Sequence, residues 1–277
     1  MSFKIVTDSA SDLLSMEGVA FASAPLKIVT AEKEYVDDSA LDVKEMVTDL
    51  KSYKGRSSTA CPSVSDFLDA FGDAKYIFCL TITATLSGSY NAACLAKRDY
   101  EEAHPDRHVF VINSLTAGPE IALQARKLAD WIKEGLSYES ICEKITGYME
   151  QTGLLFILES MNNLANNGRV SPVVAKAAGI LGIRAIGKAS AKGDLEMLSK
   201  CRGENKALAA IVNYLKEFNY KGGRIRIAHS YNEEAAGKLI TMIKEHFPSA
   251  DIECCLLRGL CSFYAELGGL LVGYERI

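Results

Sequence analysis

The stretch from Tyr76 to Lys97 constrains the fold of this chain more than any other. Tyr76-Ile-Phe-Cys-Leu-Thr-Ile-Thr83 is a continuous apolar and β-branched run, the pattern of a strand buried on both faces of a sheet. Tyr90 to Lys97, rich in Ala and Leu, predicts a helix. Thr85-Leu-Ser-Gly-Ser89 joins the two. The first backbone N–H groups of a helix lack partners inside it and its dipole favours negative charge there, so a Ser-Gly-Ser turn at that point is a natural seat for an anion. The plainer reading is that Ser87 or Ser89 caps the helix.

Similar junctions recur along the chain. Lys4 to Asp8 reads as a strand and runs into Ser9, with a helix expected from about Leu13. Ala22 to Val29 and Glu34 to Val36 read as extended segments, and Leu41 to Tyr53 as a helix. Thr59 falls in an extended loop ahead of a helix over Val64–Phe71, where Ser63 and Asp66 have capping-box spacing. His108 to Asn113 is a buried strand ending in Asn113-Ser114, followed by helices over Pro119–Lys133 and Tyr138–Gln151. Beyond Gly153 come strands at Leu154–Leu158, Ile183–Ile186, Asp194–Leu198, Arg224–His229, Asp251–Leu257 and Gly269–Tyr274. Helices are expected there over Val173–Leu181, Glu204–Glu217 and Glu233–His246, with Asn162 to Ser171 as a polar loop. This alternation defines an α/β protein, with a cut near residue 153 giving domains 1–152 and 153–277. The expected architecture is an N-terminal Rossmann-like parallel sheet with helices on both faces, and a C-terminal α/β domain with a mixed sheet.

Composition removes several classes of function. Net charge is −4, from 31 basic and 35 acidic residues, with no Lys/Arg block, which argues against a nucleic-acid binder. No apolar run is long enough to span a membrane and no signal pattern opens the chain, so a cytoplasmic protein is expected. The eight cysteines form no C-x-x-C pair and have no histidines at ligand spacing, so no metal site is expected. Neither G-x-G-x-x-G nor a P-loop nor a G-x-S-x-G elbow occurs, so no nucleotide cofactor is expected. In an open parallel sheet, Asp8, Ser9, Thr59, the Ser87-Gly88-Ser89 turn and Ser114 would gather at one edge. Neutral hydroxyls without a base to activate them suit the holding of a carboxylate or phosphate better than covalent catalysis.

The same residues carry a resemblance to the DegV family of bacterial fatty-acid-binding subunits. Lys4-Ile-Val-Thr-Asp-Ser9 is similar to the family's opening strand. Thr59-Ala-Cys-Pro-Ser63 resembles its Thr-Ser-Gln-Pro-Ser, and Leu86-Ser-Gly-Ser-Tyr-Asn91 its Leu-Ser-Gly-Thr-Tyr-Gln. Asn167-Gly-Arg-Val-Ser171 is similar to its Gly-Gly-Arg-Ile-Ser, and Cys201-Arg202 matches a basic position before a helix. The resemblance covers the chain in order. It implies a non-catalytic carrier, without a cofactor, that encloses one long-chain fatty acid and presents it to a separate fatty acid kinase that forms the acyl-phosphate for phospholipid metabolism. Transient contact with a membrane surface is compatible with such a role. Thr59 and Ser87–Ser89 would hold the carboxylate, with Asp8, Ser9 and Ser114 beside them, while Arg169 and Arg202 would face the kinase. Where the family has His-x-Gly-Pro-Gly, this chain has Tyr264-Ala-Glu-Leu-Gly268, and Asn113-Ser114 replaces Asp-Ser. Tyrosine has a reference pKa of about 10, so Tyr264 is neutral where histidine can be charged, and it offers the head a phenolic hydrogen bond instead. The competing reading is an enzyme or sensor acting on a small anionic metabolite. It requires a compact polar pocket in place of a long apolar one.

Overall fold

The computed structural model describes residues 2–173 and 182–276. Four parallel strands, β1 (Phe3–Asp8), β2 (Ala20–Ala24), β6 (Tyr76–Thr81) and β7 (His108–Asn113), pair in the order β2-β1-β6-β7. Side chains alternate across a strand, so each strand feeds two cores. Val6, Ile77, Cys79 and Val109 point to one face, under α2 (Val64–Phe71) and α3 (Ser89–Ala103). Ile5, Phe78, Leu80 and Ile112 point to the other, under α4 (Pro119–Lys133) and α5 (Tyr138–Met149). The N-terminal sheet is therefore Rossmann-like, with helices on both faces, as expected.

A mixed sheet of six strands forms the second half. Its order is β10-β9-β8-β13-β11-β12, built from β8 (Thr152–Leu158), β9 (Ile183–Ala189), β10 (Leu195–Arg202), β11 (Arg224–His229), β12 (Asp251–Leu256) and β13 (Leu270–Glu275). Leu155, Ile157, Ile225, Ile227 and Val272 pack against α7 (Glu204–Glu217) and α8 (Glu233–His246). The opposite face, with Leu154, Phe156, Leu158, Ala185 and Leu271, turns towards the first half of the chain. The helix start of α4 presses on this sheet at Gly273, where a Cβ would lie 2.6 Å from the Glu120 nitrogen and from the Pro119 carbonyl carbon. Only a glycine admits backbone that close.

Three expectations change. No helix begins near Leu13: after a short 3₁₀ turn (Ser9–Ser11), Asp12 takes a left-handed conformation (φ 56°) and the chain continues irregularly to β2. The Asp12 carboxylate accepts from the distant Arg258 N–H instead of capping locally. The extended segment Ala22–Val29 is two strands, because Pro25 lacks an N–H for a continuous ladder. Its second part, β3 (Lys27–Val29), joins β4 (Glu34–Val36) and β5 (Ser58–Ala60) in a separate antiparallel sheet ordered β4-β3-β5. Thr59 therefore sits on β5 opposite Ile28, and not at an edge of the parallel sheet. Finally, the Asn162–Ser171 loop opens with a short helix, α6 (Asn162–Asn166), and a further helix, α9 (Gly259–Ala265), precedes β13. The predicted helix Val173–Leu181 falls on 174–181, outside the described residues.

Candidate functional site

A cavity of about 340 Å³ lies between the two sheets. Its walls are mainly apolar: Leu26, Ile82, Leu86 and Ala117 come from the first half, Leu154, Phe156, Leu158, Leu195 and Leu271 from the six-stranded sheet, and Leu260 from α9. The polar residues lining it are Thr59, Cys61, Ser87, Arg169 and Tyr264.

These groups meet because loops from distant parts of the chain converge on α9. Thr59 Oγ1 and the Tyr264 hydroxyl are 2.7 Å apart, joining β5 to α9 across 205 positions of sequence. Burial pushes the Tyr264 phenol above its ordinary range, against the Thr59 hydrogen bond and the positive Arg169, so at neutral pH it is a neutral hydroxyl that can donate. Arg169 Nε donates to the Leu86 carbonyl at 3.0 Å, tying the loop after β8 to the turn after β6. In that turn the Ser87 and Ser89 hydroxyls are 3.0 Å apart, and the Ser89 N–H donates to Ser87 Oγ at 3.3 Å. Gly88 is the N-cap of α3 and no side chain caps that helix. A Cβ on Gly88 would come within 3.1 Å of Cys61 Sγ, so the Thr59 loop and the serine turn touch through the glycine.

The other sequence-derived candidates lie behind the cavity wall. Asp8 is fully buried; it accepts from the Ile82 N–H at 2.9 Å and so fixes the exit of β6 that leads to Ser87. Burial raises its carboxyl to about 7, the Ile82 N–H and the Ser89 hydroxyl partly opposing. Ser9 Oγ accepts from the Leu26 N–H at 3.0 Å, holding the chain where β2 passes to β3. Ser114 closes its own turn, donating to the Thr116 carbonyl at 3.2 Å. Arg202 is exposed at the end of β10, outside the residues that line the cavity.

The cavity also depends on residues that sequence reasoning passed over. The Asp37 carboxylate accepts from the Gly259 and Leu260 N–H groups at 2.9 and 2.8 Å, capping α9 from 222 positions away. Its neighbour Asp38 caps a turn, accepting from the Ala40 N–H. The apolar spacing Leu257, Leu260, Cys261, Tyr264 is helical and was the available signal for α9. Glu266 (φ 55°) lines no part of the cavity: its carboxylate accepts from the Asn163 N–H at 3.0 Å and binds α6 to the end of α9.

A family model described as "Uncharacterised protein, DegV family" matches residues 2–275. The chain belongs to the DegV family. A curated DegV domain-containing protein of Streptococcus pneumoniae serotype 4 is 47% identical over 279 residues, covering 99% of both chains. Among solved structures, the Fatty Acid Kinase (Fak) B3 protein of S. pneumoniae, loaded with linoleic acid, is 46% identical with a TM-score of 0.98 over 100% of each chain. A DegV family protein from Eubacterium eligens, loaded with heptadecanoic acid, is 44% identical with a TM-score of 0.98, over 99% of this chain and all of that one. Among the described residues no group of three or more His, Cys, Asp or Glu is placed to hold a metal ion, and no helix is long and apolar enough to cross a membrane.

Proposed function

We propose that this protein binds one long-chain fatty acid in the cavity between the sheets and presents its carboxylate to a separate kinase for acyl-phosphate formation, with no turnover of its own. The observation that carries the reading is the form of the cavity: one polar corner on a wall otherwise built of Leu, Ile, Phe and Ala. An alkyl chain matches such a wall, whereas a small anionic metabolite would leave it wet. The acid-loaded structures of the S. pneumoniae and E. eligens relatives support the same ligand class. The head is assigned to Thr59, the Ser87–Ser89 turn with the uncapped start of α3, and Tyr264. Arg169, at the polar corner, and the exposed Arg202 are assigned to the kinase or the nascent phosphate. The division of labour follows domains 1–152, which hold the head, and 153–277, which cover the tail, in a protein working in the cytoplasm.

Organic extraction of freshly purified, denatured protein followed by mass spectrometry tests this directly. A stoichiometric long-chain acid is expected. An extract with none, from protein that also fails to take up palmitate or oleate, would overturn the reading.

A further inference from the structure

A second cavity, of about 450 Å³, adjoins the first at the beginning of β8. It is mixed in character: Glu120, Glu150, Lys188 and Arg276 line it beside Met149 and Phe218. Among the described residues, Leu154 alone lines both. Across the sheet its neighbour on β13 is Gly273, which has no side chain. On its other side the β8–β9 ladder reaches Leu155 opposite Lys188, and the next residue of β9, Ala189, pairs with Leu195 of β10. Leu154 thus has on β13 a glycine over which the start of α4 is packed, and it is buried (3% exposed).

The direction of the cavity along β8 gives this partition a meaning. Leu158 lies at the end nearest the polar corner, since the following segment carries Arg169, and Asn163 Nδ2 of α6 donates to the Phe263 carbonyl beside Tyr264 at 2.8 Å. Phe156 and Leu154 follow on the same face, so Leu154 is about 13 Å from Leu158 along the strand, four residues at ~3.3 Å each. A chain whose head sits at Thr59 and Tyr264 and whose tail runs down this face ends against Leu154.

We propose that the Leu154 side chain is the stop that sets the longest acyl chain this protein accepts, by closing the first cavity off from the second one behind it. The inference rests on the fatty acid reading above. Beyond Leu154 the lining carries Glu120, Glu150, Lys188 and Arg276 among its apolar side chains, so a methyl terminus pushed past Leu154 would gain less from burial than it does in the first cavity.

The test is competition binding of palmitate, stearate, arachidate and behenate to wild-type protein and to Leu154→Ala, Leu154→Val and Leu154→Phe. Wild type should lose affinity beyond a sharp length limit. Leu154→Ala should move that limit upward, and burial of two further methylenes changes the preference for the longer acid about tenfold. Leu154→Val should do the same to a smaller degree, and it keeps the test valid if the alanine variant folds poorly. Leu154→Phe should move the limit downward. Variants that bind acids with the wild-type length order would overturn the stop while leaving the carrier reading intact. A wild-type protein that binds none of the acids would remove the carrier reading and the stop together.

Discussion

Removing the Tyr264 hydroxyl separates the contribution of the polar corner from that of the apolar wall. In the free protein the hydroxyl bonds Thr59 Oγ1 at 2.7 Å, and the ring packs edge-on against Phe263 with centroids 4.9 Å apart. Tyr264→Phe deletes the bond and keeps the ring. Thr59 is only partly buried and can turn to water, so the folded state should lose about 1 kcal/mol, an ordinary neutral hydrogen bond. The bound state should lose more. A fatty acid carboxylate deprived of one phenolic donor forfeits a charge-assisted bond of about 1.5–3 kcal/mol, or about 10- to 150-fold in Kd. The tail is untouched. At about 0.8 kcal/mol per buried methylene, a palmitoyl tail offers roughly 11 kcal/mol gross, so binding should weaken without disappearing. Thr59→Ala should behave alike, and the double variant should cost less than the sum, because the two hydroxyls share one bond. Calorimetric titration with palmitate and with a shorter acid, alongside urea unfolding, reads all of these quantities. Unchanged palmitate affinity in Tyr264→Phe would refute the placement of the head. Loss of the dependence on chain length would refute the division between head and tail.

Asp37→Ala strips the acceptor from two buried N–H groups at the start of α9, at a cost of about 2–4 kcal/mol in urea unfolding. It should also speed amide exchange at Gly259 and Leu260, and exchange as slow as in wild type would count against the capping role. Acidification should stabilise the protein between pH 7.5 and 5.5. Burial raises Asp8, Asp12 and Glu120 to about 7 each, against ~4 when unfolded, so in this window the folded chain binds more protons and gains stability as pH falls. His229, pushed below its ordinary value by burial, opposes this with one group against three. A urea midpoint that drops steadily from pH 7.5 to 5.5 would contradict the account.

Local chemistry made much of the fold legible from sequence. Val64–Phe71, Pro119–Lys133, Glu204–Glu217, Arg224–His229 and Glu233–His246 have the predicted limits. Three of them begin at groups that act within a few residues: the Ser63/Asp66 capping box, Pro119 at a helix start, the Asn232 cap. The serine turn was legible for the same reason, since strand, Ser-Gly-Ser and helix are contiguous. The expected helix at Leu13 failed because Asp12 answers to Arg258, a partner that no local window contains. Asp37 is the cap of a helix that only folding brings to it.

The sequence by itself determined the α/β class, the parallel and mixed halves and the hydroxyl-rich turn after β6, because periodicity, capping and hydroxyl content are properties of neighbouring residues. Only the tertiary structure decided that Thr59 meets Tyr264, that Asp8 and Ser9 brace the corner from behind, and that Leu154 rather than any other leucine ends the cavity. A leucine in a core and a leucine on a cavity wall have the same side chain and the same periodicity. What distinguishes Leu154 is its place where the two cavities meet, opposite Gly273, a neighbour set by strand pairing across more than a hundred positions of chain.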